Sequence, residues 1–586
     1  MPDVIGALRI LFGTPVREGA RRTRRRLLGG AERCEAVQAE TLARVLGLSA
    51  DSRWHQARGL SGSVSPRALA SHLPPTTYDD YAEAIDQTLA GDRAALIGSR
   101  QQAVMFALSS GTTGRTKHIP VTKAFLSDYR RGWQAWGIGA FDAHRKLHTH
   151  NIFQIASSHN RTRSPGGIAC GNISGLVQTM QSPVVRTMYS VPCATLAVTD
   201  PQAKAYAALK CGLADPRVAM AMAANPSSLV QLAEIARDRS ADLVRDLHDG
   251  TFSGGETGQT SDLPIAVRRR LSRRSRRRAR LLDRLAERDG HLRPSAYWPH
   301  LSLLACWTGG SCAAYLPRLR ALYARADGSP IPIRDHGLSA SEGRMTIPLD
   351  DETAGGLLDV TSHFFEFLPE HEIDNASAIP RLAHELEIGA SYYILLTTSS
   401  GLVRYNIHDV VRCTGYLGTV PLLEFQHKGA HIASLTGEKL TESQVVGAVR
   451  VGCDASPFTV APQWGEPPGY TLMLEAADDQ AAAARAEIEP IETALRRANE
   501  EYDEKRASGR LRPLALRSLP PGTFARFARH RQAHIGGSAE QYKHPFLLPH
   551  LGAIDDLLLH ASTLPLPPPS EAAATPETDS PGAVAV

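Results

Sequence analysis

Residues 104–117 read Val104-Met105-Phe106-Ala107-Leu108-Ser109-Ser110-Gly111-Thr112-Thr113-Gly114-Arg115-Thr116-Lys117. An apolar, strand-like run feeds straight into a loop of two glycines, four hydroxyls and a terminal cation. Glycine lets a backbone turn tightly and approach a ligand. Successive N–H groups in such a loop form a concavity for anions. Ser109, Ser110, Thr112 and Thr113 add donors for phosphate oxygens, and Lys117 adds a point charge. A polar surface turn is the bland alternative, but such turns rarely combine all of these groups behind a buried strand. The spacing is not Gly-x-x-x-x-Gly-Lys-Ser/Thr, because Gly111 and Gly114 are too close and His118 follows Lys117. A dinucleotide-binding fingerprint fails likewise.

Outward from this loop, strand-like runs alternate with helix-like stretches. Val104–Leu108, Ile152–Ile155, Tyr393–Thr397 and Val410–Thr414 are examples, and they predict an α/β protein with mixed sheets. A helix-like stretch, Ala481 to Arg506, is flanked by strand-like Tyr470–Leu474 and Leu514–Leu519. This predicts a small α+β unit. The expected division is an N-terminal acyl- and ATP-binding domain at 1–430, a small mobile C-terminal domain at 431–560 and a disordered tail at 561–586. The tail holds six prolines among Ser, Thr, Glu and Ala, too little apolar material to order it.

Composition narrows the partners. Of 586 residues, 42% are hydrophobic and 21% charged, as in an ordinary globular protein. The net charge of +5 is small for this length and does not argue for nucleic acid. The 65 cations divide into 56 arginines and 9 lysines. Each lysine is therefore worth attention, because the two cations are not interchangeable. Arg268 to Arg280 has nine arginines among thirteen residues, which reads as a solvated helix face. The eight cysteines form no Cys-x-x-Cys pair, so a disulfide framework is not expected. No run of 18 apolar residues predicts a spanning helix. At the N-terminus the apolar segment precedes the Arg17–Arg26 cluster, which reverses the order of a secretory signal. A cytoplasmic protein with an amphipathic N-terminal helix packed on its body is expected, and nothing demands more than a monomer.

Ser-Ser-Gly-Thr-Thr-Gly-x-x-Lys resembles the phosphate loop of adenylate-forming enzymes. Ser339-Ala340-Ser341-Glu342-Gly343 and Gly401-Leu402-Val403-Arg404-Tyr405-Asn406-Ile407-His408-Asp409 follow in that superfamily's order. Trp298-Pro299-His300-Leu301, Trp307-Thr308-Gly309-Gly310-Ser311, Phe364-Phe365-Glu366-Phe367-Leu368-Pro369 and Gln541-Tyr542-Lys543-His544-Pro545 narrow the resemblance to the Gretchen Hagen acyl-acid amido synthetases. It runs from about Thr77 to Pro549. It implies an ATP- and Mg²⁺-dependent ligase that adenylates a small, aromatic carboxylic acid and passes the acyl group to an amine such as an amino acid. Transfer to a thiol, or binding without catalysis, are the rival outcomes. The loop 109–117 would hold phosphates, with Ser341 and Arg404 beside the nucleotide. Glu342 would hold the metal, Asp409 the ribose, and Lys543 would approach the α-phosphate. Gly437-Glu438-Lys439 resembles the segment past the superfamily's hinge. The chain departs from the family at Asn406 and His408, usually Arg and Gly, at Ala340, usually Ser, and at Phe546, usually Arg. Tyr129, Trp133 and Trp136 read as core that borders an acyl pocket, and His148, His150, His530 and His534 as structural.

Overall fold

The computed structural model describes residues 4–109, 117–156, 158–179, 181, 183–198, 200–254, 263–373, 375, 378–429, 432–453, 455, 457–527, 530 and 544–559. Three sheets build the large N-terminal domain. The first places Ala103–Ser109 between Lys117–Thr122, antiparallel, and Ala169–Gly171, parallel, with Thr162–Arg163 at the edge. The second is parallel throughout, in the order Asn151–Gln154, Val218–Met222, Leu303–Ala305, Ile333–Arg334. Val218–Met222 is buried at every position, as a strand covered on both faces must be. Helices Pro201–Leu213 and Pro226–Asp238 each begin with a Pro and a side-chain cap, Asp200 or Asn225, which fixes their starts.

The third sheet has seven strands, all antiparallel to their neighbours, centred on Tyr405–Leu417 and Val420–Lys428. Helix Lys123–Ala143 starts at a Thr122 cap and lies where these layers meet. Its buried side chains Phe125, Leu126 and Trp136 belong to the core shared by the first and third sheets.

The smaller C-terminal domain is a three-stranded sheet, Phe458–Gln463, Gly469–Glu475 and Ala515–Leu519, covered by Glu442–Gly452 and Ile488–Ala498. Ala481 to Arg506 is not one helix. It divides into Asp479–Ala483, Ile488–Ala498 and Glu500–Ala507. Asn499 adopts an extended backbone and its side chain accepts from Tyr502 N–H, which stops one helix and caps the next. The small domain docks on the large one through Gln231 Nε2 to Ser508 O at 2.6 Å, Arg510 Nη1 to Ser228 Oγ at 3.2 Å and an Arg161–Glu500 ion pair.

The N-terminal helix, Val4–Gly29, does pack on the body, but polar groups hold it. Arg9 donates to Asn151 Oδ1 at 2.6 Å and Arg21 pairs with Asp142 at 2.7 Å, while Leu11 and Phe12 face outward. The arginine-rich segment forms Ile265–Leu271 and Arg276–Asp289, burying Ala279 and Leu282 and leaving most of its arginines outside. Among the described residues no helix is long and apolar enough to cross a membrane. All eight cysteines are free. The tail at 561–586 lies outside the described residues.

Candidate active site

Two strands set the position of the phosphate loop. Ala103–Ser109 and Lys117–Thr122 pair with Ser109 opposite Lys117, so the chain leaves and re-enters the sheet at one point. Ser110, Gly111, Thr112, Thr113 and Gly114 lie outside the described residues, as does Lys543, and for Ser109 only the strand is described. Lys117 points beside Tyr78, its Nζ 5.6 Å from the ring centroid. Burial lowers its pKa, and the nearby Glu342 carboxylate opposes that.

Glu342 lies at the tip of a two-stranded hairpin, Ser339–Ala340 with Gly343–Arg344. The tip rests on the end of the phosphate-loop strand, where Ser341 Oγ donates to Leu108 O at 3.5 Å. Gly343 permits this seat, since a Cβ there would lie 2.5 Å from His363 Nε2. Glu342 is buried, yet among the described residues its carboxylate accepts no hydrogen bond. A buried carboxylate in that state suits a cation. A hard divalent ion held by one carboxylate plus substrate phosphates needs no larger protein cage. Consistent with that sparse donor set, no group of three or more His, Cys, Asp or Glu capable of holding a metal occurs among the described residues.

Asp409 sits in Tyr405–Leu417, directly opposite Lys428 in the register of the neighbouring strand. It is buried and ion-paired with Lys428, whose Nζ also donates to Ile407 O at 3.1 Å. The residue before it, His408, has φ +59°, and the register shifts just after it, between Val410 and Val411. Left-handed backbone is costly for a non-glycine residue. Here Asn406 Oδ1 accepts from His408 N–H at 2.8 Å, so the two departures from the family pattern support one another.

Lys439 enters the same cluster from the small domain. Burial disfavours its charge, but Glu501, Glu342 and Asp409 outweigh it and raise the pKa. The turn that carries it has Gly437 at φ +105° and Lys439 at φ +48°. Buried Glu438 fixes this turn by accepting from Leu435 N–H at 2.6 Å, Thr436 N–H at 2.8 Å, Thr436 Oγ1 at 2.8 Å and Tyr470 O–H. Lys439 is a site residue that the sequence flagged only as lying near a hinge.

Arg404 is not brought to the cluster. Its guanidinium is in the core, with Nε 2.9 Å from Glu366 Oε2 and Nη1 donating to Ala70 O at 3.3 Å and to Leu73 O. Its Nε and Nη1 donors serve these buried partners, and Arg404 lines neither of the cavities at this site. Its place is to hold the strand that leads to Asp409.

Two cavities adjoin beside this cluster, and Lys439 lines both. One, of about 410 Å³, lies between Trp307, Gly309, Gly310, Ala340, Asp409, Phe425 and the small domain's Gly437 and Lys439. Buried Asp335 shapes its wall by accepting from Thr308 N–H at 2.5 Å, Thr308 Oγ1 at 2.8 Å and Gly337 N–H at 2.5 Å, and burial raises its pKa to about 6. The other, of about 340 Å³, has an apolar wall of Leu108, Tyr129, Trp133, Ile155 and Met222. Asn225, Trp307, Ser339, Ala340, Gly437 and Lys439 line both, so the cavities adjoin. Trp136 is core instead, donating to Asp335 O at 2.7 Å. His148 packs edge-on against Phe141 and His150 against His300, as structural histidines do.

This is the fold of the acyl-acid amido synthetases. AtGH3.15 acyl acid amido synthetase, solved in complex with 2,4-DB, superposes with a TM-score of 0.61 over 93% of this chain and 97% of its own, at 20% identity. The GH3 family N-terminal domain matches residues 24–327, the central domain 356–428 and the C-terminal domain 442–550, and the chain belongs to the GH3 family. A jasmonoyl–L-amino acid synthetase of Oryza sativa subsp. japonica is 25% identical over 87% of this chain and 91% of its own. An indole-3-acetic acid-amido synthetase of Arabidopsis thaliana is 23% identical over 87% of this chain and 88% of its own.

Proposed function

We propose that this chain uses ATP to adenylate a small aromatic carboxylic acid and transfers the acyl group to the amine of an amino acid. The observation that carries the reading is the clustering of Lys117, Glu342, Asp409 and Lys439, which act on one another electrostatically, with Lys439 lining both cavities, Asp409 lining the first, and Lys117 beginning the strand that follows the phosphate loop. The first cavity suits a nucleotide, with Asp409 at its edge to accept from ribose hydroxyls. The apolar wall of the second suits the body of the acid, whose carboxylate then faces the shared boundary.

A carboxylate resists an amine because its leaving group is oxide. With ATP, a carboxylate oxygen attacks the α-phosphorus and pyrophosphate leaves. The amine then attacks the acyl carbon, AMP leaves, and the amine proton passes to solvent or a nearby base. Both steps gather negative charge on phosphate oxygens, which Lys117 and Lys439 offset in a water-poor site. Glu342 would hold Mg²⁺, which supplies charge neutralisation on the phosphates when bound. Lys543 and residues 109–114 complete the phosphate contacts in this reading. A small domain that rotates between the half-reactions would exchange Lys439 for Lys543.

The test is acid-dependent ATP–pyrophosphate exchange over a panel of acids, followed by mass analysis with amino acids or coenzyme A supplied. Amide with release of AMP is expected. Acyl-thioester without amide refutes the transfer half, and absence of exchange with every acid refutes the whole. Asp409→Ala and Glu342→Ala are expected to cut exchange by about 100-fold or more; Glu342→Ala leaves the melting temperature near that of the parent, whereas Asp409→Ala, which strips Lys428 of its buried partner, lowers it.

A further inference from the structure

The N-terminal helix, Val4–Gly29, is docked by its polar groups and turns apolar ones to solvent. Toward the body, Arg9 donates to Thr149 O at 3.2 Å and to Asn151 Oδ1 at 2.6 Å, and Arg21 pairs with Asp142. Arg24 lies over Gly139, which has no Cβ to block it, and Leu27 is buried. On the opposite side, Leu11, Pro15, Arg22 and Arg26 fall on one stripe at helical spacing, all exposed, with exposed Phe12 beside them. A surface helix ordinarily buries its apolar stripe against the core, and this one does the reverse.

Twelve large hydrophobic side chains are exposed among the described residues, and four of them, Ile10, Leu11, Phe12 and Val16, lie on this one helix. Leu11 and Phe12 are 66% and 64% exposed. Apolar residues exposed singly are ordinary, but a cluster of this kind marks an interaction surface. The cluster precedes residue 24, where the match to the GH3 N-terminal domain begins, and no part of the proposed ligase site uses it.

The charge beside the cluster says what covers it. Arg17 to Arg26 holds six arginines and one acid, Glu18. Arg17 is spent on the carbonyls of Arg9 and Ile10. Glu18 lies 2.6 Å from Arg25 and 3.9 Å from Arg21 and Arg22, so one carboxylate is shared among three cations. Arg22 and Arg25 remain 71% and 68% exposed. The turn Arg145–His148 packs on the same helix and adds exposed Arg145 and Lys146. A second copy of the chain would bring the same cations to a self-matching face. A bilayer with anionic headgroups instead offers an apolar interior under a negative surface, in one plane. A helix lying in that plane buries its apolar side chains at the acyl boundary, while long arginine stems keep their charge at the level of the phosphates.

We propose that Val4–Gly29 docks the protein on an anionic lipid surface, with Leu11 and Phe12 inserted and Arg22, Arg25 and Arg26 against the phosphates. The experiment is co-sedimentation of the full chain with vesicles of phosphatidylcholine alone, or of two parts phosphatidylcholine to one part phosphatidylserine. Binding to the anionic vesicles is expected, weaker by about 10-fold or more on phosphatidylcholine alone and reduced by added salt. One variant carries Leu11→Ser with Phe12→Ser, and another Arg22→Glu, Arg25→Glu and Arg26→Glu. Each is expected to weaken binding by about 10-fold or more with the melting temperature unchanged, because all five side chains are exposed. If one variant does not fold, the parent and the other variant decide. No binding to anionic vesicles at low salt overturns the proposal, as does equal binding to both vesicles or binding unchanged in both variants. A concentration-dependent dimer in the absence of vesicles, abolished by Leu11→Ser with Phe12→Ser, assigns the face to a second copy and overturns the proposal too.

Discussion

Replacing Arg404 with Met separates a structural arginine from a nucleotide-binding one. In the fold, Arg404 and Glu366 are nearly inaccessible, with side-chain exposures of 2% and 3%. Their bond is 2.9 Å, and Arg404 also serves two carbonyls, of Ala70 and Leu73. The substitution leaves Glu366 and two carbonyls without that donor. Burial already raises the Glu366 pKa, with Arg404 opposing it. Without the arginine, the carboxyl would take up a proton at neutral pH or stay charged at high cost. Breaking a buried pair costs about 3–5 kcal/mol. With an unfolding entropy of about 2.1 cal/mol/K per residue and a cooperative unit of roughly 400 residues, that lowers Tm by about 4–6 °C. Differential scanning calorimetry measures the shift, and exchange kinetics in the same sample give KM for ATP below the transition. The Arg404→Met, Glu366→Leu double variant is expected to recover most of the loss. An unchanged Tm with a raised KM for ATP would refute the reasoning and put Arg404 back beside the nucleotide.

Other perturbations follow from the same geometry. Lys204 binds its proton less tightly folded, at about 8, than at its ordinary 10.5. Between those values the unfolded chain holds more protons, so the parent gains stability as pH rises through that window. Lys204→Met is therefore expected to be more stable than the parent at pH 7, by roughly 1–3 kcal/mol, with the gap closing by pH 10.5; denaturant melts at both ends check the sign. Glu438→Gln weakens the turn that carries Lys439, and a fall of about 10-fold in overall amide formation, larger than the change in ATP–pyrophosphate exchange, is expected from single-turnover kinetics. Trp133→Ala removes part of the apolar wall of the second cavity. It is expected to lower kcat/KM for aromatic acids by about 10–100-fold without moving KM for ATP.

Much of this molecule was legible as a line of residues. The strand at Val104–Leu108 is Ala103–Ser109 in the fold, and Tyr470–Leu474 lies within Gly469–Glu475. Periodicity and β-branched or aromatic runs are local signals, and they survive folding because the sheets bury those same residues. The long helix expected at Ala481–Arg506 is broken twice, after Ala483 and at Asn499. Asn499 makes a cap by bonding Tyr502 N–H, and a cap inside an otherwise helical pattern looks like any polar surface residue until its backbone is seen. Arg404 shows a different limit. A motif gives the identity of a side chain but not its direction, and Glu366, which claims it, lies 38 residues away.

The lysines show where the division falls. Their scarcity is a property of the sequence alone, and it singled out Lys117, Lys439 and Lys543 through the motifs around them. Lys204 and Lys505 carry no motif. They line the second cavity only because one helix of the large domain and one of the small domain face it. Local order, composition and motif chemistry are short-range and can be read along the chain. The pairing of Lys428 with Asp409, and the placement of Lys204 and Lys505 beside Glu504, are set by strand register and domain docking. Those distances are decided by packing between residues far apart in sequence, and only the tertiary structure contains them.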